Sequence, residues 1–142
     1  MRYWILVLVL LITSVSGASA FEFKWPGDKG KAAEAKKAEN IYREARAAYG
    51  SADYANTIKL SSEAIKLNPE LAKAYGLRGK ASKDMGDVDG AIKDLDHAIK
   101  LDPKLGEAYY TRAQTHEIMG DMKQAGADYK KGCSAGFRDA CE

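Results

Sequence analysis

Residues 38–71 and 72–105 align without a gap, sharing Ala38/Ala72, Ala47/Ala81, Asp53/Asp87, Ile58/Ile92, Ala64/Ala98, Ile65/Ile99, Leu67/Leu101, Pro69/Pro103 and Leu71/Leu105. Residues 106–139 continue the register with Ala74/Ala108, Tyr75/Tyr109, Arg78/Arg112, Met85/Met119, Gly86/Gly120, Asp87/Asp121, Ala91/Ala125 and Asp94/Asp128. A return at a fixed interval of 34 residues constrains the fold more than anything else in the chain. Each unit must be one supersecondary element that buries its apolar face only against its neighbours.

Inside a unit the pattern reads as two helices and two breaks. In the middle unit Ala74–Met85 is one helical stretch, and Gly86-Asp87 is a turn. Val88, Ala91, Ile92, Leu95, Ala98 and Ile99 then recur at spacings of three and four, the stripe of an amphipathic helix. That helix ends before Pro103, which cannot continue it. Gly86 and Gly120 suit a left-handed helix end, and Asp87 and Asp121 are placed to cap the helix that follows. The first unit keeps Asp53 but has Ala52 at the glycine position, so Gly50 is expected to shift that turn by two residues. Small residues at 45, 79 and 113 on first helices, and at 64, 98 and 132 on second helices, mark close helix approach. Tyr75 and Tyr109 are placed to fill the gap to the preceding unit.

In order, Tyr75, Gly79, Gly86-Asp87, Ala91, Leu95, Ala98 and Pro103 resemble the pattern of the tetratricopeptide repeat family. The resemblance implies an all-α fold, a right-handed superhelix of three helix-turn-helix repeats (an α-solenoid) whose concave groove is built chiefly from the first helices. It divides the chain into units 38–71, 72–105 and 106–139. Residues 21–37 form an aromatic segment and a helix extension before them, and residues to 142 form the end after them. The Ala, Lys and Glu of 31–38 have strong helix propensity and extend the first helix backwards.

Family positions carried over residue by residue place Tyr42 and Arg46 in the groove from the first unit. Lys73, Gly76, Lys80 and Asp84 follow from the second, and Glu107, Tyr110, Gln114 and Glu117 from the third. Chaperone-binding members grip a C-terminal carboxylate with a lysine, asparagine, asparagine, lysine, arginine set. The matching positions here hold Tyr42, Arg46, Leu77, Glu107 and Thr111, so that clamp is absent. The resemblance therefore implies a scaffold or adaptor that binds a protein or peptide partner, with no catalytic residues and no cofactor.

The first twenty residues stand apart from the repeats. Arg2 precedes an apolar run from Tyr3 to Ile12, and Ala18-Ser19-Ala20 ends the stretch in a cleavage pattern. The run is about half the ~20 residues needed to cross a bilayer. Cleavage after Ala20 is expected, with export to the periplasm or exterior and no stable membrane span afterwards. Phe21, Phe23 and Trp25 then lie beside the new N-terminus, as a cap on the first unit or as an anchor for another protein. With 22 basic and 20 acidic residues, the chain lacks the basic surface expected of a nucleic-acid binder.

Cys133 and Cys141 flank Gly136 at the unfinished end of the third unit, where Phe137 stands in place of the proline. In an oxidising compartment a disulfide would staple that end. The spacing is similar to the bridged helical hairpins of Sel1-like cysteine-rich proteins, although those carry a pair in every repeat. A redox-active pair or a metal carrier is the rival reading, and self-association through exposed repeat ends is a third. His97 and His116 read as packing or surface, no metal-ligand spacing is present, and Asp87, Asp89, Asp94 and Asp96 read as a solvated face.

Overall fold

The computed structural model describes residues 27–141. The expected leader, Phe21, Phe23 and Trp25 lie outside the described residues. Six helices follow in order: α1 (Gly27–Gly50), α2 (Tyr54–Leu67), α3 (Ala72–Asp84), α4 (Val88–Leu101), α5 (Gly106–Ile118) and α6 (Met122–Ser134), with a 3-10 turn at Arg138–Ala140. Among the described residues there is no strand, and no helix is long and apolar enough to cross a membrane.

Each helix packs on the next in sequence, and α1 also touches α3 and α3 touches α5. No such contact joins α2 to α4 or α4 to α6. The stack is an α-solenoid that bends toward its odd-numbered helices, which makes theirs the concave side.

Local chemistry sets the breaks. Asp53, Asp87 and Asp121 each accept a hydrogen bond from the backbone N–H three residues on, at 3.2, 3.0 and 3.1 Å, capping α2, α4 and α6. Before each cap the chain closes with the same backbone bond, from Asp53 to the Ala48 carbonyl, Asp87 to Ser82 and Asp121 to His116. The first turn is therefore not shifted by Gly50. Ala52 itself takes the left-handed conformation, φ 57°, that Gly86 and Gly120 take at 87° and 80°.

The core is built largely from small residues. Ala38, Ala45, Ala64, Ala74, Ala81, Ala91, Ala98 and Ala113 have no exposed surface, and Leu95 is the largest side chain sealed from solvent. Helices this close crowd Gly79, where a Cβ would lie 3.0 Å from Leu95 and 3.1 Å from the Ala91 carbonyl and would force both to give way. Tyr75 differs from expectation. It packs with the cluster of Ala91, Leu95, Ala98 and Ala108 and stacks on His97 at 4.3 Å, within its own unit and toward the following one.

The acidic face also differs. Asp94 receives two hydrogen bonds from Arg78, both 2.7 Å, and Asp128 receives two from Arg112, both 2.7 Å. The third guanidinium nitrogen of each arginine reaches back to the preceding unit, to Ser62 at 3.0 Å and to Asp96 at 2.5 Å. Each arginine thus ties three helices together, and Asp94, read as part of a solvated face, is a structural partner, while Asp87, Asp89 and Asp96 lie exposed. The two bonds to Asp128 are also the main reason Arg112 holds its proton more tightly than a free guanidinium.

At the far end the 3-10 turn takes the place of a further helix. Phe137 lies over Tyr110, ring centres 5.2 Å apart, and Ala140 is buried. A Cβ at Gly106 would fall 2.7 Å from that of Phe137, and one at Gly132 would fall 2.9 Å from that of Ala140. The third unit carries glycine at both positions because the cap sits directly on its backbone. The sulfurs of Cys133 and Cys141 are 2.11 Å apart, at disulfide distance, joining α6 to the residue after the cap.

Candidate functional site

The concave side holds a cavity of about 190 Å³ between α1, α3 and α5. Tyr42, Arg46 and Tyr49 form the α1 wall at spacings of four and three, so one stripe of that helix faces inward. Lys73, Gly76, Leu77 and Lys80 come from α3, while Leu105, Glu107 and Ala108 close the third side. Gly76, with no side chain, keeps the α3 wall low; a Cβ there would make ordinary contacts with Leu105 at 3.5 Å and Ala98 at 3.9 Å.

The polar groups are unevenly committed. Lys80 pairs with Glu107 at 2.7 Å across the gap between α3 and α5, and its ammonium lies 4.9 Å from the centre of the Tyr49 ring. The Tyr49 hydroxyl donates to Asp84, crossing from α1 to α3. Burial, reinforced by that bond, pushes the Tyr49 phenol well above the ordinary range, so it stays a donor at every physiological pH. Burial likewise raises the Tyr42 phenol, against the pull of Arg46. Arg46 and Lys73 make no ion pair among the described residues. The cavity thus presents two tyrosines and two uncommitted cations, and its one carboxylate, Glu107, is already engaged by Lys80.

Of the residues proposed from the sequence, Tyr42, Arg46, Lys73, Gly76, Lys80 and Glu107 come together around this cavity. Asp84 and Gln114 do not line it. Asp84 is held by Tyr49 and by Lys83 at 3.2 Å, and Gln114 accepts from Lys83 at 2.9 Å. Tyr110 is turned toward the far end, between Tyr129 and Phe137 at 5.7 and 5.2 Å. Glu117 accepts from the Tyr129 hydroxyl at 2.8 Å. Tyr49 was absent from the sequence expectation, although its spacing from Tyr42 and Arg46 signals the same helical face. Lys83 and Glu117 share its register but engage their own neighbours.

At the five positions matching the carboxylate-gripping set, Tyr42, Arg46, Leu77 and Glu107 line the cavity. Thr111 is buried with its hydroxyl donating to the Glu107 carbonyl at 2.9 Å. Among the described residues no group of three or more His, Cys, Asp or Glu side chains is arranged to hold a metal.

Residues 72–105 and 106–135 match the tetratricopeptide repeat family model. No curated protein matches the chain. Solved structures do. The TPR domain of Arabidopsis OM64 is 26% identical, with a TM-score of 0.69 over 72% of this chain and 84% of that one. The TPR2B domain of yeast Sti1, in complex with pHsp70, is 27% identical, with a TM-score of 0.67 over 70% of this chain and 80% of that one. The second TPR of Spaghetti (RPAP3), bound to the HSP90 peptide SRMEEVD, shares the fold at 18% identity. Its TM-score is 0.71, over 75% of this chain and 98% of that one.

Proposed function

We propose that this protein is an exported, non-catalytic interaction module that holds an extended polypeptide in the concave cavity of its tetratricopeptide repeats, as scaffold or adaptor in an envelope complex. The observation that carries the reading is the cavity itself, where Tyr42 and Tyr49 stand beside Arg46 and Lys73, two cations without an ion-pair partner among the described residues. Large amphipathic rings and arginine are the side chains that most often dominate recognition, and a groove formed before binding avoids part of the ordering cost. The structural relatives in complex with pHsp70 or with an HSP90 peptide support a polypeptide as the occupant. Export rests on the leader-like first twenty residues.

Site-specific photocrosslinking in cells tests the reading. A crosslinker at Tyr42 or Lys80 is expected to capture a polypeptide that one at Lys93, on the even-numbered side, does not. Capture should be lost in Arg46→Glu/Lys73→Glu. Equal capture from both sides, or capture indifferent to the charge reversal, would refute the groove. Mass spectrometry of the protein from an envelope fraction is expected to find Phe21 as its first residue, and an intact leader on the bulk of the protein would refute export.

A further inference from the structure

A second open trough, of about 570 Å³, lies on the α6 side of the stack and shares no residue with the concave cavity. Its floor is the Tyr109 ring, with Pro103 and Ala135 on the walls and Lys104, Lys130 and Lys131 around the rim. Tyr109 is itself buried, 9% exposed, so the accessible apolar surface of the trough comes mainly from Pro103, Ala127 and Ala135. The Lys131 ammonium stands 5.8 Å from the ring centre, and none of the three lysines has an ion-pair partner among the described residues.

The second unit supplies the comparison. One repeat earlier, the positions equivalent to Lys104, Lys130 and Lys131 carry Glu70, near the end of the first unit, and Asp96 and His97 of the second. There His97 lies against the equivalent ring, Tyr75, at 4.3 Å, and Asp96 is taken up by Arg112 of the following unit. One repeat later the histidine is a lysine, Lys131, and the rim has changed from acidic to basic. Neither change is needed by the fold, because the second unit makes the same helix pair with the opposite chemistry.

We propose that this trough is a second docking site, for an acidic segment of a partner polypeptide that lays one apolar side chain against Pro103, Ala127 and Ala135 while its carboxylates meet Lys104, Lys130 and Lys131. Three unpaired cations around an apolar floor select a ligand that is negative at its flanks and apolar at its centre. The trough favours a polypeptide over an anionic bilayer, since a flat surface touches the lysine tips without entering between Pro103 and Ala135. Two such faces on one small solenoid would let it hold two segments at once.

The test uses the whole chain and a fluorescein-labelled peptide of about twelve residues, with Glu and Asp flanking a central Leu. Saturable binding is expected, weakening as salt is raised. Lys130→Asp/Lys131→His, which transplants the second unit's pair, should weaken it at least about tenfold with an unchanged circular dichroism spectrum. Arg46→Glu/Lys73→Glu should leave it unaltered, so failure here and failure of the concave groove are read separately. In an amide NMR titration the shifts are expected at Ala127 and Ala135. No saturation up to about 1 mM peptide, equal affinity in the transplanted variant, loss only with the Arg46/Lys73 pair, or preference for phosphatidylglycerol vesicles over the peptide would each overturn the proposal.

Discussion

Ala52 is the one non-glycine residue among those described that adopts a positive φ, and it does so where the other two units place glycine. A Cβ in the left-handed region costs roughly 1–2 kcal/mol, while the Asp53 cap and the closing bond to Ala48 hold the turn in register. Ala52→Gly is therefore expected to stabilise the fold by up to about 1 kcal/mol, measured by urea denaturation; a lower midpoint would contradict the strain. Arg112 is the opposite kind of residue. Its partner Asp128 is 4% exposed, and removing the guanidinium leaves that carboxylate buried without its charge-assisted bonds. Arg112→Met is expected to cost about 3 kcal/mol, with much of the loss recovered when Asp128→Leu is added. A loss under about half that size would place the pair in effectively solvated surroundings. The recurrence Arg78/Arg112 with Asp94/Asp128 was visible in the sequence, but the repeat shows only that a position matters. Which side chain it meets depends on how α3 and α5 pack against the helices on either side.

At the scale of elements, the end of the third unit shows how a repeat array stops. A solenoid unit buries one side against its neighbour and leaves the other open, and here the 3-10 turn covers it with Phe137 and Ala140. That arrangement needs glycine at 106 and 132, the left-handed Gly136, φ 87°, and a tether. The Cys133–Cys141 pair supplies the tether. Closing so short a loop is worth about 2.5 kcal/mol in the chain-entropy account. Cys133→Ser/Cys141→Ser is expected to lose about that much stability while keeping the helical spectrum of α1–α5, as read by thermal melting with and without reductant. A variant with wild-type stability that had lost a thiol or metal activity would instead favour the redox reading. The cysteine pair was legible beforehand, and so was a small residue at 132, whereas the need of Gly106 and Gly132 to make room for the cap was not, because it appears only when the chain folds back over them.

Across the whole molecule, the concave side is laced by polar ties between units: Tyr49 to Asp84, Lys80 to Glu107 and Lys83 to Gln114. These set the spacing of α1, α3 and α5, and hence the width of the cavity, in a stack whose apolar core is thin. Tyr49 makes this lacing sensitive to alkali. Its phenol is raised above the unfolded value of 10.0, so the folded state favours the neutral form. The contribution is fully present below that value and is lost as pH rises through the higher folded one. Tyr129, pushed up to about 12 by burial and then by its bond to Glu117, behaves in the same direction. Stability is expected to be flat to about pH 10 and to fall above it, with tyrosinate absorbance developing later than for a free phenol. Tyr49→Phe should blunt the alkaline loss, and an identical profile in that variant would remove Tyr49 from the account.

Much of this architecture is written in local rules. A proline, a left-handed glycine, an aspartate cap and alanines at fixed offsets determine two helices per unit and three units per chain, because each acts within a turn or two of its own position. The groove was legible to the extent that helical spacing reveals a face: Tyr42, Arg46, Lys73, Lys80 and Glu107 meet in the cavity. Tertiary packing decided that Tyr110 turns to Phe137, that Tyr49 rather than Asp84 lines the wall, and that Asp94 and Asp128 are held by arginines sixteen residues away. It also decided that a lysine, Lys131, stands over the ring of Tyr109 where His97 lies against that of Tyr75. Periodicity specifies which way a side chain leaves its helix. What it finds there depends on neighbours from other units, and those are set only when the units stack.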